Sequence, residues 1–150
     1  MYPDRYARQV QLPQIGARGQ ERLSRATVAV VGCGALGCAL AELLARAGIG
    51  RLKIADRDLV EPTNLQRQLL FDEADAAAGT PKAHAAAARL ARINSQISIE
   101  AHAIDVGPGN VERLLDGVDL ALDGADNAET RYLLNDACVK LRLPWIYGGA

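Results

Sequence analysis

A parallel α/β sheet, doubly wound with helices on both faces, is predicted by three observations. Short apolar runs rich in β-branched residues alternate with helix-length segments from residue 27 to residue 147. The first run passes directly into the turn Gly32-Cys33-Gly34-Ala35-Leu36-Gly37, which opens the first long helix. An aspartate, Asp56, stands at the end of the second run. Together these define a Rossmann-like arrangement.

Thr27-Val28-Ala29-Val30-Val31 has no polar alternation and reads as a strand buried on both faces. The helix that follows is expected over 36–47, with Leu36, Leu40, Leu43, Leu44 and Ala47 on one stripe and Gly48 and Gly50 stopping it. Residues 51–55 form the second strand, so the first βαβ crossover is right-handed and its strands parallel. Thr80 is the expected N-cap and Pro81 the first helical residue of an alanine-rich helix reaching Ile93. A third strand is expected over 97–104, a short helix capped by Asn110 through Leu115, and a fourth strand over 118–123. Asp126 is expected to open a helix running to Leu141, and Pro144 precedes a fifth strand, 145–147, that reaches Gly148-Gly149.

Two segments stand outside this alternation. Residues 1–25 are an N-terminal arm, with a helix expected over 17–23, ahead of a domain spanning 26–150. Residues 59–78 form a connection of about twenty residues where two to six are usual, and surplus loop at the carboxyl end of a parallel strand is commonly functional.

A chain of 150 residues with 49% hydrophobic side chains supports one core. Its 17 basic and 18 acidic residues leave a net charge of -1 without a block of either sign, which argues against a nucleic-acid partner. No stretch is apolar enough for a signal peptide or a membrane span, so a cytoplasmic protein is expected. Cys33, Cys38 and Cys138 lack disulfide or zinc spacing. Cys33 sits at a helix start that could activate a thiol, against the simpler role of a small packing residue.

The glycine turn carries a nucleotide-binding pattern in the right context. Its first glycine permits the tight turn, the second lets backbone approach phosphate, and the third brings helix and sheet together, while Asp56 can accept ribose hydroxyls. The pattern fits NAD and ATP equally. No G-x-x-x-x-G-K-[ST] occurs, so any ATP chemistry is not that of a P-loop.

Three residues bear on the choice. Arg67, in Asn64-Leu65-Gln66-Arg67-Gln68, lies just beyond the second strand where it can clamp phosphate, or simply face solvent. Lys82 falls in the first turn of a helix, whose dipole disfavours a cation by a few tenths to about 1 kcal/mol, a conflict that a bound polyphosphate would resolve. Asp126, after the fourth strand, can hold magnesium against phosphates, or cap the next helix in a box with Glu129.

Arg5-Tyr6-Ala7-Arg8-Gln9, the glycine turn, Asp56-Arg57-Asp58-Leu59-Val60, Asn64-Leu65-Gln66-Arg67-Gln68, Pro81-Lys82, Asp126-Asn127 with Arg131, and Gly148-Gly149-Ala150 resemble, in order, the adenylation domain of the ThiF/MoeB and ubiquitin-activating family. The resemblance implies a chain that binds ATP and magnesium and adenylates the C-terminal Gly-Gly carboxylate of a small ubiquitin-like protein, working as a homodimer. It implies that Asp56 binds ribose, that Asn64, Arg67 and Lys82 hold the triphosphate, and that Asp126 binds magnesium. Arg8 would reach the phosphates from a second subunit, joining Arg67, Lys82 and Asp126 as catalytic residues. Gly32, Gly34, Ala35, Gly37, Gln68 and Asn127 complete the implied ATP site. No general base is required, because a terminal carboxylate is already ionised, and His84 and His102 are expected to be structural. The family domain continues past the glycine turn, so the chain is expected to be an N-terminal portion or a short member. A nicotinamide-dependent oxidoreductase and a non-catalytic partner of an activating enzyme are the alternatives. The molybdopterin, thiamine, tRNA-modifying and peptide-modifying pathways all stay open.

Overall fold

A computed structural model describes residues 4–149, so Ala150 of the last motif and the first three residues of the arm lie outside the description. Five parallel strands, β1 (Thr27–Val31), β2 (Arg51–Ala55), β3 (Ser98–His102), β4 (Leu120–Asp123) and β5 (Trp145–Tyr147), form one sheet in the order β3-β2-β1-β4-β5. The fold is the predicted doubly wound α/β sheet. From β1 the chain builds outward through β2 and β3, then returns to place β4 on the other side of β1. The point where strand order reverses lies between β1 and β4, where ligands enter such sheets. Register brings Val31 opposite both Ala55 and Asp123, so the glycine turn, Asp56 and the turn after β4 share one edge.

Alternate side chains of the strands feed two cores. Val28, Val30, Leu52 and Ile54 pack beneath α3 (Ala35–Ala47) and α5 (Lys82–Ile93). Ala29, Val31, Ala55 and Ala121 face α6 (Val111–Leu115) and α7 (Ala128–Leu141). Each fully buried Leu or Ile contributes about 1.5–3 kcal/mol.

The expected leucine stripe of α3 is not its buried face. Gly37, Cys38, Ala41 and Ala45 face inward, while Leu43 is 66% exposed. Small side chains let the helix axis lie close to β1, and the leucines flank that seam. Gly48 ends α3 in the left-handed conformation, with φ of 82°.

Two helix starts shift their cap by one residue, and a third keeps its expected cap residue without the side-chain bond. Pro81, not Thr80, holds the N-cap position of α5; the Lys82 amide donates to Asp58 O at 2.9 Å, and Thr80 O accepts from the Val60 amide. Asn110 holds the N-cap position of α6 as expected, but its side chain braces the preceding loop, accepting from the Gly107 amide and donating to Asp105 O. Asn127 caps α7 by accepting from the Thr130 amide at 2.9 Å, so Asp126 is not the cap. The long connection contains its own structure, a 3-10 turn at Pro62–Asn64 and α4 (Glu73–Ala78), which Asp72 and Asp75 close in a reciprocal capping box. β3 and β4 are shorter than predicted at both ends and at the start respectively.

The arm comprises α1 (Ala7–Val10) and α2 (Gly16–Arg25), a longer helix than the predicted 17–23. Tyr6 is buried over Gly48, and the fully buried Asn94 donates to its hydroxyl and to Ala45 O. Gln9 and Gln20 both donate to Ala47 O. The arm is thus fastened to the carboxyl ends of α3 and α5, at the sheet edge opposite the one that gathers the glycine turn and Asp56. Among the described residues no helix is long and apolar enough to cross a membrane.

Candidate functional site

A cleft of about 770 Å³ opens along the carboxyl edge of the sheet, between the glycine turn, the connection after β2, the start of α5 and the turns after β4 and β5. This lies in the size range of small-molecule sites.

The three glycines of the turn are required for different reasons. Gly32 has φ of 90°, and a Cβ there would lie 2.6 Å from the Gly124 carbonyl. A Cβ on Gly37 would overlap the carbonyl of Gly32. A Cβ on Gly34 would meet nothing closer than Gln68 Nε2 at 4.0 Å, so its open side faces the cleft. Gly124, in the turn after β4, was missed from sequence, although the doublet Asp123-Gly124 at a strand end is a turn signal. Ala35 starts α3 and also lines the cleft.

Asp56 is oriented by two amides: Cys33 N donates to Oδ2 at 2.6 Å and Asp58 N to Oδ1 at 2.8 Å. The carboxylate is therefore locked to the turn beside it. Cys33 and Cys38 are fully buried with sulfurs 3.8 Å apart; the hydrogen bond with Cys38, then burial, hold the Cys33 thiol well above its usual range. Cys33 is a packing residue.

The connection contributes side chains with different roles. Asn64 is buried and its Oδ1 accepts from the Glu61 amide at 2.9 Å, which shapes the loop as well as lining the cleft. Gln68 is 3% exposed, and its buried Oε1 has no hydrogen-bond partner among the described residues. A buried, unpaired amide oxygen costs about 1–3 kcal/mol, and Gln68 is one of the residues that line the cleft. Arg67 is exposed at the rim, donating to Thr63 O at 2.9 Å.

Lys82 is buried, and its Nζ meets Asp58 Oδ2 at 3.0 Å. The dipole conflict expected of a lysine in the first turn is relieved by Asp58, which sequence reasoning did not single out; the spacing of Asp56 and Asp58 along one strand exit is the signal that could have found it. Arg57 bridges onward to Asp105 at 3.2 Å.

On the facing wall, Asp123 is fully buried, accepting from Ala125 N at 2.9 Å and from Arg131 Nε at 2.9 Å. Asp126 is exposed to the cleft, and among the described residues its carboxylate meets only Asn127 Nδ2, at 3.4 Å. With Asn127 serving as cap, the capping explanation of Asp126 fails. Asn127 lines the cleft too. Among the described residues no group of three or more His, Cys, Asp or Glu side chains could hold a metal by itself. A cation at Asp126 would need ligand oxygens, which is how Mg²⁺ is commonly held, by one or two carboxylates and phosphate.

The cleft thus unites Gly32, Gly34, Ala35, Asp56, Asn64, Arg67, Gln68, Lys82, Asp126 and Asn127; Gly37 supports it from below. Arg8 is not among them. It is exposed on α1, in the arm fastened to the far edge. His84 is exposed on α5 and His102 lies on edge strand β3; neither lines the cleft.

The fold and the cleft at its strand-order switch define a Rossmann-like α/β domain. Residues 6–150 match the ThiF family model, and the chain belongs to that family. It is 47% identical over 144 residues to the sulfur carrier protein ThiS adenylyltransferase of Bacillus subtilis, covering 96% of this chain and 43% of that protein. It is 49% identical over 146 residues to the mouse adenylyltransferase and sulfurtransferase MOCS3, covering 97% of this chain and 31% of that protein. The chain therefore spans less than half the length of either relative. Among solved structures, E. coli tRNA N6-threonylcarbamoyladenosine dehydratase TcdA in complex with ATP superposes with a TM-score of 0.90 at 28% identity, over 97% of this chain and 59% of that one.

Proposed function

We propose that this chain binds magnesium–ATP in the cleft and adenylates the C-terminal Gly-Gly carboxylate of a small ubiquitin-like sulfur-carrier protein, releasing pyrophosphate. The observation that carries this reading is that Arg67, Lys82 and Asp126, which does not cap a helix, line the same cleft as the open side of Gly34. The adenylyltransferase names of its relatives and the ATP-bound TcdA structure support it.

In this reading Asp56, already held by two amides, receives the ribose hydroxyls, and Gly34 lets backbone approach the phosphates. Lys82 and Arg67 face the triphosphate and offset the charge that grows as a carboxylate oxygen bonds to the α-phosphorus and the bond to pyrophosphate breaks. Asp126 would hold Mg²⁺, which supplies further charge neutralisation at the phosphates. No proton moves in this step, consistent with the placement of both histidines away from the cleft. Residues 1–25 would act as an arm and 26–150 as the adenylation domain, in a cytoplasmic protein.

Titration calorimetry tests the ligand. Magnesium–ATP is expected to bind and NAD to give no heat, and Asp126→Asn is expected to remain folded while magnesium–ATP binds about ten- to a hundredfold more weakly. NAD binding without a response to ATP would instead establish the oxidoreductase alternative.

The arm's position gives the reading a quaternary form. Because Arg8 sits at the edge opposite its own cleft, it would complete the site of a second copy in a homodimer. Mixing inactive Arg8→Ala and Lys82→Ala subunits should restore adenylation, since each mixed dimer has one site free of both defects. Confirmed heterodimers with no recovery would remove Arg8 from the chemistry.

A further inference from the structure

Arg131, in the first turn of α7, is bonded to three segments at once. Its Nε meets the fully buried Asp123 carboxylate at the end of β4; its Nη2 donates to Ala125 O at 2.9 Å and to Gly148 O at 3.3 Å; its Nη1 reaches the Tyr147 hydroxyl at 3.3 Å. The guanidinium also lies over the Tyr147 ring, 4.4 Å from its centre. Only a planar fork of donors can make these contacts together, and a lysine cannot.

The peptide immediately before Asp126 is the one these bonds grip. Ala125 N donates to Asp123 Oδ1, Asp123 Oδ2 accepts from Arg131, and Arg131 returns to Ala125 O, closing a ring of hydrogen bonds around one residue. Gly124, one residue earlier, rests on the Gly32 carbonyl and the Gly37 Cα. The turn is thereby located from both sides, against the glycine turn by contact and against β5 by Arg131. Among the described residues the Asp126 side chain has no comparable anchor of its own, so its position is inherited from the Ala125 peptide.

We infer that Arg131 is a positioning residue that acts through the Ala125 peptide to set the Asp126 carboxylate for a nucleotide-bound divalent cation. This rests on the nucleotide-binding reading proposed above. It makes Arg131 specific to the metal-dependent part of binding, since the groups assigned to ribose and phosphates, Asp56 just after β2 and Lys82 at the start of α5, stand apart from α7.

The test is a double-mutant cycle on the full chain, titrating ATP with magnesium and with EDTA. Arg131→Lys and Arg131→Gln are expected to weaken binding of magnesium–ATP about tenfold while changing metal-free ATP affinity by less than about twofold. On an Asp126→Asn background, Arg131→Gln should add less than about twofold. Equal losses with and without magnesium, full additivity with Asp126→Asn, or failure of both Arg131 variants to fold would overturn the inference and make Arg131 a determinant of the fold. If the wild-type chain binds ATP under neither condition, the nucleotide reading itself falls. If the wild type shows magnesium-dependent binding that both Arg131 variants reproduce unchanged, only the positioning role falls.

Discussion

Replacement of Lys82 by Gln is expected to lower adenylation about a hundred- to a thousandfold while leaving the fold in place. The side chain is only 8% exposed, so a charge developing at the phosphates would face it with little screening by water. Removing one fixed group that stabilises transition-state charge in a water-poor site costs about that factor. The folded state should tolerate the change because the ion-pair partner, Asp58, is 56% exposed and can return to solvent. Acceptor-dependent pyrophosphate exchange measures the rate, and thermal melting measures the fold. A variant that melts with the wild type and exchanges at an undiminished rate would remove Lys82 from the chemistry.

Gly37→Ala and Gly34→Ala, the same chemical change three residues apart, are expected to fail in opposite ways. The methyl on Gly37 would overlap the backbone carbonyl of Gly32, which cannot rotate away, so α3 must back off from the sheet. Overpacking of this kind costs about 1–3 kcal/mol or more, and a chain of this length should melt roughly 3–12 °C lower. The methyl on Gly34 meets only the far end of Gln68, at 4.0 Å, so the melting temperature should hold. It would occupy the space where phosphate approaches backbone, and nucleotide affinity should drop by about tenfold or more. Calorimetric melting beside ATP titration separates the two. Loss of stability in both variants would mean that Gly34 serves packing rather than ligand access.

The sheet was legible because a parallel strand buried on both faces leaves an uninterrupted apolar run, as at Thr27–Val31, and because Leu52, Ile54 and Ala55 keep β2 apolar despite Arg51 and Lys53. The glycine turn was legible because each glycine answers a backbone requirement that the sequence context displays. Helix faces were less so. Apolarity marked Leu43 as core, but closeness to the sheet selected the small residues Gly37, Cys38, Ala41 and Ala45 instead. Caps misled for a related reason. Thr80, Asn110 and Asp126 each have a cap-forming side chain, yet Pro81 and Asn127 hold the positions expected of Thr80 and Asp126, and Asn110 holds its position while its side chain bonds to the preceding loop; local pattern does not reveal which candidate wins. Asp58 and Gly124 were overlooked because their partners, Lys82 and Gly32, lie 24 and 92 residues away.

The seating of the N-terminal arm also bears on how this molecule melts. Tyr6 lies on Gly48, its hydroxyl receives the buried Asn94, and Gln9 and Gln20 share the carbonyl of Ala47. Detaching the arm would strip partners from buried amides at the ends of both α3 and α5, at about 1–3 kcal/mol for each group left unsatisfied. The arm is therefore not a fringe that frays at low cost. Its opening is coupled to the loosening of two core helices, which places residues 5–25 in the same cooperative unit as the sheet they border.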